Sequence, residues 1–106
     1  MAESMLSHTV YFTLADSSEA AQDRLVEAAR KYLVNHPGVL FFGVGKLCKE
    51  LNRPVNDQEF HVGLNIVFDS KASHDIYQVA PDHLKFIEEG KPNWAKVRVF
   101  DSWASR

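Results

Sequence analysis

The stretch Tyr77-Gln78-Val79-Ala80-Pro81-Asp82-His83 holds the residue types most able to do chemistry. A phenol, with an ordinary pKa of about 10, and an imidazole, at about 6.5, form a general acid and a general base at neutral pH. On an unbroken helix, residues six apart point away from each other, which would separate Tyr77 from His83. Pro81 breaks the helix and lets the chain turn back, so a shared pocket becomes geometrically possible. From spacing alone, Tyr77 also reads as an ordinary amphipathic-helix residue and His83 as a cap or surface residue.

The five histidines stand at positions 8, 36, 61, 74 and 83. None falls in a local metal-ligand spacing, and Cys48 has no partner cysteine, so neither a metal nor a cofactor is expected. There is no phosphate-cradling glycine loop and no nucleophile-elbow serine. His8 and His61 each open an apolar strand and are the candidates for binding a substrate in a cavity under the helices. If those strands pair antiparallel, their first residues lie at opposite ends and the two imidazoles need not meet.

The elements that must position these groups follow from periodicity. Phe60 to Phe68 is the organising strand: Phe60, Val62, Leu64, Ile66 and Phe68 alternate onto one apolar face, and His61, Gly63, Asn65 and Val67 onto the other. His8 to Leu14 alternates as the first strand, with His8, Val10, Phe12 and Leu14 together. Asp16 to Glu19 offers a capping box, after which Ala21, Leu25, Ala28 and Tyr32 recur at helical spacing up to Val34, and Asn35-His36-Pro37-Gly38 stops the helix. Val39 to Gly45 is apolar on both faces, and Lys46 to Glu59 is a polar, solvated connection. Asp69 or Ser70 caps a second helix with an apolar stripe of Ala72, Ile76 and Val79, interrupted at Pro81 and resumed through Leu84, Phe86 and Ile87 to Gly90. Trp94 to Phe100 reads as a half-exposed edge strand.

The order is β-α-β-β-α-β, an α+β ferredoxin-like sandwich in one domain over residues 1–106, with the first and third strands central. Two helices cover only one side of a four-stranded sheet. The doubly apolar second strand implies that a second copy of the chain covers the other, giving a homodimer.

The His8-x-Val10-x-Phe12 strand, the Phe60–Phe68 strand with its following helix, Tyr77 with Pro81-x-His83, and the closing Val97-x-Val99-x-Asp101 together resemble the stress-responsive α/β-barrel (Dabb) family over nearly the whole chain. Tyr-x-x-x-Pro-x-His is the specific part of that match. The resemblance implies a ferredoxin-like fold that dimerises through its sheets into an α/β barrel, with a small-molecule pocket under the helices. Most members have no assigned reaction. A polyketide cyclase of the family performs aldol condensation without a cofactor, using a tyrosine and a histidine that align with Tyr77 and His83, and its other pocket histidines look like His8 and His61. Where the cyclase and many members carry a histidine directly before the proline, this chain has Ala80. The related antibiotic-biosynthesis monooxygenases share the dimeric barrel, and a non-catalytic dimeric interaction module is a further reading.

The totals set bounds on partners. A formal charge of −2 over 106 residues supplies no basic face for nucleic acid. No apolar stretch approaches the roughly 20 residues that span a bilayer, and Met1-Ala2-Glu3-Ser4 lacks the basic start of a secretion signal. With a single cysteine, a cytoplasmic location is expected.

Overall fold

The computed structural model describes residues 4–106. In chain order its elements are β1 (Met5–Leu14), α1 (Glu19–Leu33), β2 (Val39–Lys46), β3 (Val62–Phe68), α2 (Lys71–Gln78), α3 (Pro81–Gly90), a 3-10 turn (Lys91–Asn93) and β4 (Trp94–Ala104). The strands form one antiparallel sheet in the order β2-β3-β1-β4, with β3 and β1 central. This is the ferredoxin-like arrangement, its second helix split in two.

One face of the sheet is the core. Leu6, Val10, Phe12 and Leu14 of β1 and Val62, Leu64, Ile66 and Phe68 of β3 are all buried beneath α1, α2 and α3. Burying each large aliphatic or aromatic side chain is worth roughly 1.5–3 kcal/mol, so this double row fixes the register. Helix α1 adds Ala21, Leu25, Val26, Ala29 and Leu33. At the turn into β2, Gly38 adopts φ 91°, and a Cβ there would stand 2.3 Å from the Ser73 hydroxyl. Only glycine allows α2 to sit this close to the turn.

The structure departs from the expected elements in places that matter. The capping box does not form: Ser18 caps α1 by accepting from the Ala21 amide at 3.2 Å, and Glu19 instead meets the Lys46 ammonium at 2.6 Å. The organising strand begins at Val62 rather than Phe60, because the His61 imidazole takes the Leu14 amide where the β1–β4 register also slips. Phe60 consequently packs on Tyr11, at a ring-centroid distance of 4.8 Å, away from the core row. The apolar stripe of the second helix faces outward. Ile76 and Val79 are exposed while Tyr77 is buried, because α2 leans its Ser73–Tyr77 side onto the Gly38 turn and β3. The fourth strand runs past Phe100 to Ala104, which puts Asp101 inside it. The Lys46–Glu59 connection is tethered: Asp57 pairs with Arg98 at 2.6 Å, and the Gln58 side-chain amide donates to the Lys49 and Leu51 carbonyls.

The sheet's second face carries Tyr11, Phe41 and Phe100, the last two more than half exposed in the isolated chain. Phe41 lies over Gly43, where even a Cβ would be 3.0 Å from the ring.

Phe68→Ala, at a fully buried β3 position, is expected to lower unfolding free energy by about 3–5 kcal/mol in urea titration at fixed protein concentration. A loss below about 1 kcal/mol would show that this row is not the core.

Candidate active site

His8 sits in the apolar face of β1 with 4 % of its surface exposed. In the β1–β4 register it lies opposite Asp101, and its Nδ1–H donates to the Asp101 carboxylate at 2.5 Å. In the neutral imidazole that bond puts the lone pair on Nε2.

Helix α2 contributes two more groups. Tyr77 is 1 % exposed and packs on Phe68, and among the described residues its hydroxyl has no hydrogen-bond partner. Burial raises its pKa above the ordinary phenol value, so it stays protonated as a donor. His74, three residues earlier and on the same side of α2, lies 5.0 Å from His8 between ring centroids. Its Nδ1–H donates to Asp75 at 3.1 Å, and its Nε2 accepts from the Gln78 side-chain amide at 3.3 Å.

The chain breaks after Val79, and Pro81 occupies the first turn of α3, where its missing N–H costs nothing. The reversal brings the His83 ring to 4.4 Å from the Tyr77 ring. His83 Nδ1–H donates to the Gln78 carbonyl at 3.1 Å, which can only accept, so the lone pair is on Nε2. Burial lowers the His83 pKa below the ordinary imidazole value; the nearby His8, His74 and His36 push the same way, and the Gln78 bond partly opposes them. His83 is therefore a neutral base where Tyr77 is a neutral acid.

Tyr77, His83, His74 and the His8–Asp101 pair line one cavity of about 290 Å³, whose other walls are Phe12, Phe86, Trp94, Val97 and Val99. It lies between the core face of β1 and β4 and the two short helices. His61 does not join them. Its Nδ1 accepts the Leu14 amide at 2.9 Å near the far end of β1, and it lines a separate surface hollow. A larger hollow of about 460 Å³ lies on the opposite sheet face among Tyr11, Phe60, Arg98 and Phe100. Its size reflects the uncovered face; its charged groups, Asp57 and Arg98, are engaged with each other in a salt bridge, and no histidine lines it.

Spacing in the sequence did not single out His74, and Asp101 stood there only as the end of the Val97-x-Val99-x-Asp101 pattern, without a role. His74 could have been found from its i, i+3 relation to Tyr77. Asp101 could have been found by extending the last strand until it faced His8.

Residues 6–104 match the family described as Stress responsive A/B Barrel Domain (Dabb), and the chain belongs to that family. Among solved structures it is similar to a Dabb-family protein with a ferredoxin-like fold from Mesorhizobium loti, at 28% identity and TM-score 0.79, covering 97% of this chain and 99% of that one. It shares its fold with the hydroxynitrile lyase of Passiflora edulis, at 19% identity and TM-score 0.78 over 98% and 96% of the two chains. It also shares its fold with a dimeric ferredoxin-like protein of unknown function from Thermobifida fusca, at 15% identity and TM-score 0.78 over 95% and 92%. None of the curated proteins matches the chain in sequence. No helix among the described residues is long and apolar enough to cross a membrane.

The depressed His83 pKa has a measurable sign. Below about pH 6.5 the unfolded chain binds a proton at this position more readily than the folded protein, so stability falls as pH drops through that window. Histidine NMR titration is expected to place the His83 midpoint below 6.5. A midpoint at or above that value contradicts the desolvated site.

Proposed function

We propose that this Dabb-family chain is a single-domain homodimer that binds a small, largely apolar carbonyl compound beneath its helices and moves a proton on it without a cofactor. The observation that carries the reading is the Tyr77–His83 pair, 4.4 Å apart between rings, on the wall of a 290 Å³ cavity that is otherwise mostly apolar. A filled interior at this point would have favoured a purely structural module.

In this reading His83 Nε2 takes a proton from the carbon between two carbonyls and becomes an imidazolium. The Tyr77 hydroxyl donates to the oxygen on which negative charge develops. The resulting carbanion adds to a second carbonyl of the same molecule, as in an aldol cyclisation, and the proton returns from His83 to the new alkoxide. The His8–Asp101 pair presents His8 Nε2 to the opposite end of the ligand. His61, bonded to the Leu14 amide away from the cavity, has no part in it.

The homodimer is supported by dimeric proteins of the same fold and by the Tyr11, Phe41 and Phe100 side of the sheet, which the chain's own helices leave uncovered. A reducing, cytoplasmic setting suits the lone exposed Cys48, and the family's description points to stress response.

Two measurements test the proposal. Deuterium exchange at the central carbon of 1,3-dicarbonyl fragments, and closure of linear tri- and tetraketide thioester products, are expected to be accelerated by the protein. Both should fall by about 10²–10⁴-fold in His83→Ala, and Tyr77→Phe should lose about 10²-fold. Unchanged substrates, or full turnover in His83→Ala, would refute the chemistry. Sedimentation at micromolar concentration is expected to give twice the chain mass, with Phe41→Asp shifting the protein toward monomer. A monomeric wild-type protein would rule out the barrel assembly.

A further inference from the structure

We propose that His8, His74 and Asp101 form a binding site for one divalent first-row transition ion of the zinc or iron(II) class. The three residues come from β1, α2 and β4, and one ligand atom from each lies within 4.8 Å of the others. Two imidazoles and a carboxylate suit zinc, iron, cobalt or nickel, whereas magnesium and calcium favour all-oxygen sets.

The surroundings resemble those of a built site. His8 is almost fully buried, and the His74 side chain is 14% exposed. The His74 Nδ1–H is held by Asp75, and Asp75 in turn by Lys71 at 2.7 Å, so the ring is oriented with Nε2 left to coordinate. A carboxylate on the far nitrogen of a histidine is the usual support for a metal ligand. Three protein ligands leave coordination positions open toward the cavity.

Binding has a definite proton balance. The His8 Nδ1 proton moves by way of solvent to Nε2, so the imidazole stays neutral, and the cation takes its place beside Asp101. The pair then opens from 2.5 Å to the roughly 3.3 Å that separates neighbouring ligands around a tetrahedral ion with bonds of about 2.0–2.1 Å. The long Gln78 amide contact to His74 is given up. Tyr77 and His83 take no part; the His8–Asp101 pair is shared with the proton-transfer reading, whereas His74 and Asp75 belong to the metal site alone, so their variants tell failure of one from failure of the other.

The test uses untagged full-length protein in a Cys48→Ser background, with cobalt(II) as the spectroscopic probe and zinc as competitor. One cobalt per chain is expected, with the visible absorption of a low-coordinate ion that zinc displaces, and zinc should raise the melting temperature by several degrees. His74→Ala and Asp101→Asn should abolish the absorption, Asp75→Asn should weaken binding by about 10–100-fold, and Tyr77→Phe should bind as the parent does. No cobalt spectrum at saturating metal, or binding indifferent to both His74→Ala and Asp75→Asn, would overturn the site.

Discussion

The imidazole of His8 lies in the middle of an apolar sheet face, where an unpaired polar group costs about 1–3 kcal/mol, and the fold meets that cost with a carboxylate from the neighbouring edge strand. Asp101 can reach it only because β4 runs on to Ala104 and keeps register with β1. The same strand places Val97 and Val99 on the cavity opposite the residues of α2 and α3. The strand that satisfies the buried histidine thus also forms a wall of the cavity. Pairing, strand length and vacant volume follow from one another.

The second constraint is the break at Pro81. A continuous helix would have buried Tyr77 and carried His83 to the other side. Two short helices instead close the reversal with the His83–Gln78 bond, and the two rings meet. Burial then acts oppositely on the two groups. It keeps the phenol protonated and the imidazole unprotonated, because desolvation always disfavours the charged form. Burial is the largest influence on both groups, and for His83 the neighbouring histidines add to it.

Much of this was legible in the chain. Period-two alternation in His8–Leu14 and Phe60–Phe68 points to the central pair, and the helix-breaking proline marks the stretch that holds Tyr77 and His83. Strand ends were less visible, since they depend on side chains bonding to backbone. Phe60 follows the apolar alternation yet packs on the opposite face, because His61 captures the Leu14 amide one residue later. Ile76 and Val79 form a stripe by spacing, but the close fit of Ser73 on Gly38 turns that stripe to solvent. The His8, His74 and Asp101 cluster joins three elements 66 and 27 positions apart, so no local spacing rule can find it.

The proposed chemistry requires the cavity to accept a ligand in one orientation, with its carbon at His83 and its oxygen at Tyr77. The most direct measurement is a crystal structure of the protein soaked with a 1,3-diketone. The account predicts the diketone in the cavity beneath α2 and α3, one oxygen about 2.6–3.2 Å from the Tyr77 hydroxyl and the central carbon facing His83 Nε2. A cavity closed by side chains, or a diketone bound only on the opposite sheet face, would contradict it.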